Sequence, residues 1–127
     1  MPKKSPFAKS VLEVVRAIPE GFVATYGDVA TWVGRARAAR AVGSVLRGLS
    51  EHQPDVPWHR VINAKGMISM GGTPNRALRQ RNLLQSEGIR FDRKGRLSLS
   101  EHRWEPDPEQ VEEWIARFEI GPEDFSF

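Results

Sequence analysis

Cysteine is absent from the 127 residues of the sequence. Its absence excludes disulfide bonds, thiolate metal sites and thiol nucleophiles within these residues. Long hydrophobic runs are absent too, because no apolar stretch approaches the ~20 residues that a transmembrane helix needs. The charged N-terminal residues are followed by no apolar core, so we expect no secretory signal and no membrane partner. These absences favour a cytoplasmic protein without a metal site.

Negative charge is scarce over most of the chain and concentrated at its end. Residues 1–100, the basic body, contain 17 lysines and arginines against 7 acidic residues, whereas residues 101–127 contain 2 against 9. A basic body favours a polyanionic partner, of which DNA and RNA are the most common. A solvated surface that keeps the protein in solution explains the same charge equally well. Charge alone therefore leaves both interpretations open.

Helical periodicity and capping residues predict a mostly α-helical fold with minor β-strands. A short helix over 25–33, opened by the capping-box pattern of Thr25 and Asp28, is followed by a helix over 38–49. Two helices joined by a short glycine-containing turn form a helix-turn-helix candidate. Longer helices are predicted over 6–18 behind Ser5, over 74–87 behind Thr73, and over 108–118 behind Asp107.

Side-chain orientation and short extended segments complete the structural prediction. Extended segments are expected at 60–63 and 67–69 around a turn at Lys65-Gly66, and a hairpin is expected over 89–99. In the helix over 74–87, we expect leucines to face inward and arginines to face outward. The inward set is Leu78, Leu83 and Leu84, and the outward set is Arg76, Arg79 and Arg81. The last helix carries an apolar stripe of Val111, Trp114, Ile115 and Phe118.

The hexapeptide at 57–62, Pro-Trp-His-Arg-Val-Ile, resembles the active-site signature of the O6-alkylguanine-DNA alkyltransferases. Trp58 stands where that family has its reactive cysteine. Further matches at 18–30, 38–43 and 83–88 follow in the family's order, so the resemblance covers most of the basic body. The tryptophan variant is similar to the alkyltransferase-like proteins, the non-enzymatic branch. The resemblance implies a winged-helix-like helix-turn-helix domain similar to the alkyltransferase C-terminal domain.

The tryptophan in the signature argues against alkyl transfer. A thiolate can accept an alkyl group from guanine O6, whereas the indole of Trp58 has no lone pair available for that attack at neutral pH. The resemblance implies that the enzymes' counterparts of His59 and Glu87 help a water to deprotonate the thiol. Here both are expected to be structural hydrogen-bond partners, and we expect no catalytic residue and no enzymatic activity. The lesion pocket is expected to contain Tyr26, Trp58, Arg60, Val61, Ile62, Met67, Met70, Gly71 and Gly72, although Met67 suits the core equally well.

The resemblance also implies a DNA-binding surface on the helix-turn-helix. Arg40 matches the arginine that enters through the minor groove and replaces the extruded nucleotide, a role that suits a planar guanidinium. Tyr26 matches the residue that helps to rotate the target's phosphate and contacts the flipped base. Without the flanking matches, both would be interpreted as ordinary helix residues. The expected DNA contacts are Thr25, Tyr26, Gly27, Ala38, Ala39, Arg40, Ala41, Gly43 and Arg47.

The chain departs from the family's pattern near the expected pocket. Some alkyltransferase-like proteins use an arginine in the loop after the signature to recognise the lesion. Residues 61–75 contain no arginine here, and Lys65 is their only cation. In the family, an asparagine-proline pair often follows the second helix of the helix-turn-helix. This chain has Leu-Ser-Glu-His-Gln-Pro over 49–54 instead. Lesion recognition is therefore expected to rest on shape and backbone contacts.

The acidic residues 101–127 lie outside the resemblance. We expect residues 1–100 to form the DNA-binding domain and the acidic extension to pack on it through an amphipathic helix. Two alternatives are a docking surface for repair proteins and a flap that competes with DNA for the basic face. The second alternative predicts that cleavage after residue 100 changes the affinity for DNA.

The sequence thus predicts a monomer that binds duplex DNA containing O6-alkylguanine, flips the damaged base and does not repair it. The resemblance implies that the complex marks the lesion for nucleotide excision repair proteins. No cofactor is expected, and a bacterial protein of this kind would be associated with the nucleoid. One alternative is a helix-turn-helix transcription regulator, which would prefer one undamaged sequence. Another is a true alkyltransferase with a different nucleophile, which would take up the alkyl group.

Overall fold

The structure, a computed structural model, describes residues 5–49, 55–69 and 73–118. Helices dominate it, which confirms the predicted class of mostly α with minor β. None of the helices in these ranges is long and apolar enough to cross a membrane. In chain order the elements are α1 (Pro6–Arg16), β1 (Ala24–Thr25), α2 (Tyr26–Trp32), α3 (Ala39–Arg47), a 3-10 helix (Trp58–Arg60), β2 (Val61–Ile62), α4 (Pro74–Ser86), α5 (Leu99–His102) and α6 (Pro108–Phe118).

Helix α1 lies at the centre of the main core. The Ser5 hydroxyl accepts a hydrogen bond from Ala8 N at 3.1 Å, and Pro6 occupies the first turn, as predicted for this helix start. Phe7 and Val14 are fully buried on the face that packs toward α2, α3 and α6. Burial of such side chains stabilises a fold by about 1.5–3 kcal/mol each. Helix α1 therefore supports the elements that carry the site.

Helices α2 and α3 form the predicted helix-turn-helix. A complete capping box opens α2, because Thr25 Oγ1 accepts from Asp28 N at 3.0 Å and Asp28 Oδ2 accepts from Thr25 N at 3.1 Å. Gly34 follows α2 with a φ of +85°, a conformation that costs a glycine little. Helix α3 then packs on α2 and buries Leu46, which leaves Arg40 exposed on its outer face.

The parallel sheet joins the start of α2 to the signature segment. In its register, Ala24 pairs with Val61 and Thr25 with Ile62, and all four residues are buried. The extended segment predicted from residue 60 begins one residue later. Arg60 ends the 3-10 helix, in which its N donates to Pro57 O at 3.0 Å. The sheet consequently fixes Tyr26 and the Trp58–Arg60 turn relative to each other.

Helix α4 begins where the sequence predicts, but its buried face differs from the prediction. The Thr73 hydroxyl caps it by accepting from Arg76 N at 3.1 Å. Leu78 is 59% exposed and Gln80 only 6%, so the inward assignment of Leu78 is wrong. The outward assignment of Arg76 is also wrong, because its side chain is half-buried and contacts α3. Positions 76, 80 and 84 lie four residues apart and share the inner face of the helix, to which Leu78 does not belong.

The segment after α4 forms a turn but not the predicted hairpin. Asp92 N donates to Arg96 O at 2.8 Å, which closes the turn. Leu97 N then donates to Gly66 O at 2.9 Å, so the chain pairs with the turn around Gly66 and not with the residues before Asp92. A Cβ on Gly66 would lie 2.8 Å from Leu97 O, and its φ is +76°, so this close approach requires glycine. Leu99 opens α5 and does not end a strand.

The C-terminal helix packs on the basic body. Trp114 is 3% exposed within the main core, and α6 contacts both α1 and α2. Arg103 donates to both carboxylate oxygens of Asp28 at 2.6 and 2.9 Å, which ties this segment to the cap of α2. Ile115 is 43% exposed, so the predicted apolar stripe is buried only in part. The domain boundary at residue 100 stays a prediction.

Candidate nucleic-acid interface

The outer face of α3 borders an open groove of about 430 Å³, which we call the α3 groove. Small residues dominate its wall, and Arg40 and Arg47 supply positive charge to it. A Cβ on Gly43 would lie 3.1 Å from Arg47 Nη1, so a larger residue there would displace the Arg47 side chain. The lining is Tyr26, Ala39, Arg40, Gly43, Ser44, Arg47 and Ser69. The structure thus brings together Tyr26, Ala39, Arg40, Gly43 and Arg47 of the predicted DNA contacts.

Arg40 stands between the α3 groove and a second, larger groove. The second groove has a volume of about 580 Å³ and lies over the turn between α2 and α3. Its lining is Gly34, Arg35, Ala36, Arg37, Ala38, Arg40 and Ala41. Because Arg40 lines both grooves and is exposed, its side chain forms the ridge between them. A cationic ridge flanked by clefts has the shape that insertion between the bases of a duplex requires.

A small cavity of about 30 Å³, the inner cavity, lies behind the α3 groove. Its wall consists of Tyr26, Gly43, Leu46, Arg47, Trp58, Ser69, Arg76, Ala77 and Gln80. Four of these residues also line the α3 groove, namely Tyr26, Gly43, Arg47 and Ser69. The groove therefore opens onto the cavity. Trp58, which is 7% exposed and belongs to the main core, provides a fixed aromatic wall.

Arg76 covers the indole of Trp58 inside this cavity. Its Cζ lies 4.0 Å from the centroid of the indole ring, which is a cation–π contact. Its Nη2 donates to Leu46 O at 2.8 Å, so the side chain connects α4 to α3 across the cavity. The loop over 61–75 supplies no arginine. The first arginine after this loop is Arg76, in the first turn of α4.

Tyr26 is the first residue of α2 and lies where the groove meets the cavity. Burial raises the pKa of its phenol and outweighs the opposing effects of a hydrogen bond with Ser69 and of the nearby Arg47 and Arg76 charges. The phenol is therefore neutral at physiological pH, and its hydroxyl can donate as well as accept a hydrogen bond. Contact between Tyr26 and a flipped base stays a prediction.

Glu87 joins the signature segment to the rest of the fold through a cluster of charged hydrogen bonds. His59 Nε2 lies 2.6 Å from Glu87 Oε2, as the sequence led us to expect. Arg60 donates to Oε1 from Nε at 3.0 Å and to Oε2 from Nη2 at 2.8 Å, and Gly21 N donates to Oε1 at 3.1 Å. Burial opposes the charge of Glu87, but these donors outweigh it and hold the pKa of the carboxyl at about 2.

His59 lies in the same environment, but burial has the larger effect there and favours the neutral form of the ring. Burial lowers the pKa of the imidazole and outweighs the favourable effect of the Glu87 carboxylate. The ring is therefore neutral at neutral pH, and the Nε2–H donates to Glu87. Because Trp58 precedes it and the chain has no cysteine, His59 has no thiol to activate. The pair braces the signature segment.

Several predicted pocket residues lie elsewhere. Arg60 was expected in the lesion pocket, but it is directed at Glu87, and its Nη1 donates to Ile18 O at 2.8 Å. Val61 and Ile62 are 1% and 0% exposed and pack in the core, because they form the buried strand β2. None of these three residues lines the inner cavity, and their assignment to the lesion pocket stays a prediction. Met67 contributes to neither the inner cavity nor the α3 groove, and Met70, Gly71 and Gly72 lie outside the described residues.

Four predicted DNA contacts do not line the α3 groove. Thr25 is 4% exposed and uses its hydroxyl as the cap of α2, so it positions Tyr26 and does not present its own side chain. Ala38 and Ala41 border the second groove and not the α3 groove. Gly27 lies half-buried in the first turn of α2, beside Thr25.

Gln80 is a site residue that the sequence analysis did not identify. Its Nε2 donates to His59 O at 3.1 Å and to Val61 O at 2.9 Å, and the side chain is buried. These bonds hold the signature backbone against α4. Its position four residues before Leu84, which the sequence places on the inward face, was the available signal. Ser69, Leu46, Ala77 and Arg76 were also missed as cavity residues.

The chemistry of this interface is that of binding. The inner cavity combines an aromatic wall with a phenol, an amide and a guanidinium, which suit the stacking and hydrogen bonding of a planar base. In the parts of the chain that the structure describes, no three His, Asp or Glu side chains are grouped to hold a metal ion. The arrangement can orient a ligand, and its charge favours an anionic one.

Comparison with known proteins identifies relatives of the chain. Residues 6–89 match the family described as 6-O-methylguanine DNA methyltransferase, DNA binding domain. The chain is 46% identical over 104 residues to the DNA base-flipping protein of Escherichia coli K12, covering 82% of this chain and 78% of that protein. It is 38% identical over 104 residues to alkyltransferase-like protein 1 of Schizosaccharomyces pombe, covering 79% and 95%. The crystal structure of S. pombe Atl1 in complex with damaged DNA containing O6-carboxymethylguanine aligns with a TM-score of 0.73 at 38% identity, covering 84% of this chain and 100% of that chain.

Proposed function

Because the chain belongs to the family of the 6-O-methylguanine DNA methyltransferase DNA-binding domain, in its alkyltransferase-like branch, we propose that it recognises DNA damage without repairing it. It binds duplex DNA, rotates an O6-alkylguanine out of the helix and holds this base at the inner cavity. The base-flipping name of the E. coli relative supports the second step. The complex of S. pombe Atl1 with damaged DNA supports the choice of ligand.

The observation that carries the proposal is the continuity between the Arg40 ridge, the α3 groove and the inner cavity. Arg40 lines the groove, and the groove shares Tyr26, Gly43 and Arg47 with the cavity. A nucleotide displaced by the ridge therefore has a short route to the Trp58 wall. Displacement costs a few kcal/mol of unstacking, which phosphate contacts must offset. An O6-alkylated guanine pairs weakly, so its extrusion costs less than that of guanine.

The small residues of α3 favour docking in the minor groove. Ala39, Gly43 and Ser44 leave this face of the helix narrow, and Arg40 projects from it between the two grooves. A narrow groove admits such a face, and the inserted guanidinium can stack in the place of the lost base. Arg47 and the arginines of the second groove contact the phosphates on either side.

The same site gives the protein no means to remove the alkyl group. Trp58 occupies the position of the family's reactive cysteine, and its indole cannot act as the nucleophile. The damaged base consequently stays in place, and the persistent complex acts as a signal. We propose that nucleotide excision repair proteins read this signal and that the protein acts as a monomer in the cytoplasm.

The proposal is tested by following base extrusion directly. In duplexes with 2-aminopurine beside one O6-methylguanine, fluorescence rises when the neighbouring base leaves the stack. The wild-type protein should increase this fluorescence, and Arg40→Ala should bind about ten-fold more weakly and produce little increase. Arg16→Ala is the matched control, because Arg16 is an exposed arginine paired with Asp55 and lies in neither groove. An equal increase with Arg40→Ala and Arg16→Ala would contradict the proposed role of the ridge.

A further inference from the structure

The inner cavity is too small for the base that the proposed function assigns to it. Its volume of about 30 Å³ accommodates roughly one or two water molecules. A purine with an alkyl substituent is several times larger. One part of the wall must therefore move before a base can reach the Trp58 indole.

Three residues of the wall, Trp58, Leu46 and Gln80, are held too firmly to move. Trp58 and Leu46 are 7% and 3% exposed and belong to the main core. Gln80 is 6% exposed and is fixed by its two hydrogen bonds to the signature backbone. Displacing any of these side chains would open the core itself, whose packing is as dense as that of a crystal.

Arg76 differs from these wall residues. It is half-buried, its long side chain reaches the cavity from the first turn of α4, and its guanidinium lies over the indole at 4.0 Å from the ring centroid. A planar cation at this distance occupies the volume in which a flipped purine would stack on the same ring. Its hydrogen bond to Leu46 O can be exchanged for one to water when the side chain swings outward.

We propose that Arg76 competes with the flipped base for the face of Trp58 and thereby lowers the preference of the protein for the lesion. This inference rests on the proposed function and names a contact that the flipped base must displace. Every base that enters must displace the guanidinium. The cost therefore falls on an O6-alkylated guanine, which leaves the duplex readily, and hardly at all on guanine, which stays paired.

The competition has a definite consequence for affinity. A base that binds must first break the cation–π contact and the hydrogen bond of the Arg76 guanidinium. Loss of the guanidinium removes this cost, so the affinity for a flipped lesion should rise about ten-fold. Guanine stays almost entirely inside the duplex, so the affinity of the protein for the undamaged duplex should change little. A side chain that contacts the lesion favourably would have the opposite effect when removed.

The experiment compares Arg76→Ala with Arg79→Ala in the full-length chain. Arg79 lies one turn further along α4, is exposed and does not line the inner cavity, so both variants lose the same charge from the same helix. Affinities are measured on two duplexes that differ only in one O6-methylguanine or guanine. Arg76→Lys retains the charge but not the planar stack, and it should also gain affinity relative to wild type.

The expected result is that Arg76→Ala binds the lesion duplex about ten-fold more tightly than Arg79→Ala, with guanine-duplex affinities that agree within about two-fold. Equal lesion affinities for the two variants, or weaker binding by Arg76→Ala, would overturn the inference. The preference of the wild-type protein for the lesion tests the proposed function separately. If wild type shows no preference and Arg76→Ala acquires one, the competition stands and the function as proposed fails; if neither shows one, both fail.

Discussion

His59 Nε2 and Glu87 Oε2 lie 2.6 Å apart in a chain that has tryptophan immediately before His59. The histidine is neutral and donates to a carboxylate that is ionised and also bound by Arg60 and Gly21. The four groups connect the signature segment, the end of α4 and the turn after α1. Without a thiol to activate, this connection positions the Trp58 wall and the strand that follows it.

The first prediction concerns the stability that Glu87 provides. Glu87→Gln leaves Arg60 and His59 without their carboxylate, and loss of one member of a buried ion pair costs about 3 kcal/mol. The folded-state pKa of about 2 lies below the ordinary 4.5, so the contribution is complete above pH 4.5 and is lost as the pH falls toward 2. Urea unfolding at several pH values should therefore show a large difference between wild type and variant at pH 7 that narrows below pH 4.5.

A matched substitution separates this effect from loss of charge in general. Glu112 is exposed on α6, so Glu112→Gln should change the free energy of unfolding by less than about 0.5 kcal/mol. A difference between wild type and Glu87→Gln that stays constant from pH 7 to pH 2 would show that the carboxylate is not held in its ionised form by these partners.

The second prediction concerns the docking of the acidic extension. Trp114 is 3% exposed and Ile115, the next residue on α6, is 43% exposed. Trp114→Ala should lower the free energy of unfolding by about 3–5 kcal/mol, and Ile115→Ala by less than about 1 kcal/mol. Chemical denaturation measures both values. Equal and small effects would indicate that α6 detaches from the body in solution, as an acidic flap would require.

The third prediction concerns the phosphate contacts beside the ridge. Affinity for any duplex should fall with salt, and each neutralised phosphate contributes about 0.9 to the slope of log K against log salt concentration. Arg47→Ala should reduce this slope by about that amount, because Arg47 lines both the α3 groove and the inner cavity. Arg16→Ala should leave it unchanged. A salt-independent affinity of the wild-type protein would argue against a DNA-binding surface altogether.

Local signals in the sequence predicted the elements that position the site. The Thr25–Asp28 capping box, Ser5 and Thr73 each cap a helix with their own hydroxyl or carboxylate, so a few adjacent residues determine the helix start. The signature at 57–62 and the flanking matches predicted the helix-turn-helix and the contact between His59 and Glu87. These inferences needed no knowledge of which distant segments pack together.

The remaining features depend on contacts between distant segments. Arg76 faces inward because Trp58 and Leu46 offer it a ring and a carbonyl, and a helical pattern of leucines and arginines gives no sign of either. The strand expected near residue 97 pairs with the turn at Gly66, which no local hairpin rule predicts. The site therefore differs from the sequence prediction mainly where α4 meets the signature segment.

The central claim is that the protein holds O6-alkylguanine and does not repair it. The most direct measurement is binding to two duplexes that differ only in one O6-methylguanine, whose methyl group is radiolabelled, followed by separation of protein and DNA. Preferential binding of the lesion duplex with all the label remaining on the DNA is the predicted result. Equal affinity for both duplexes, or label transferred to the protein, would contradict the account.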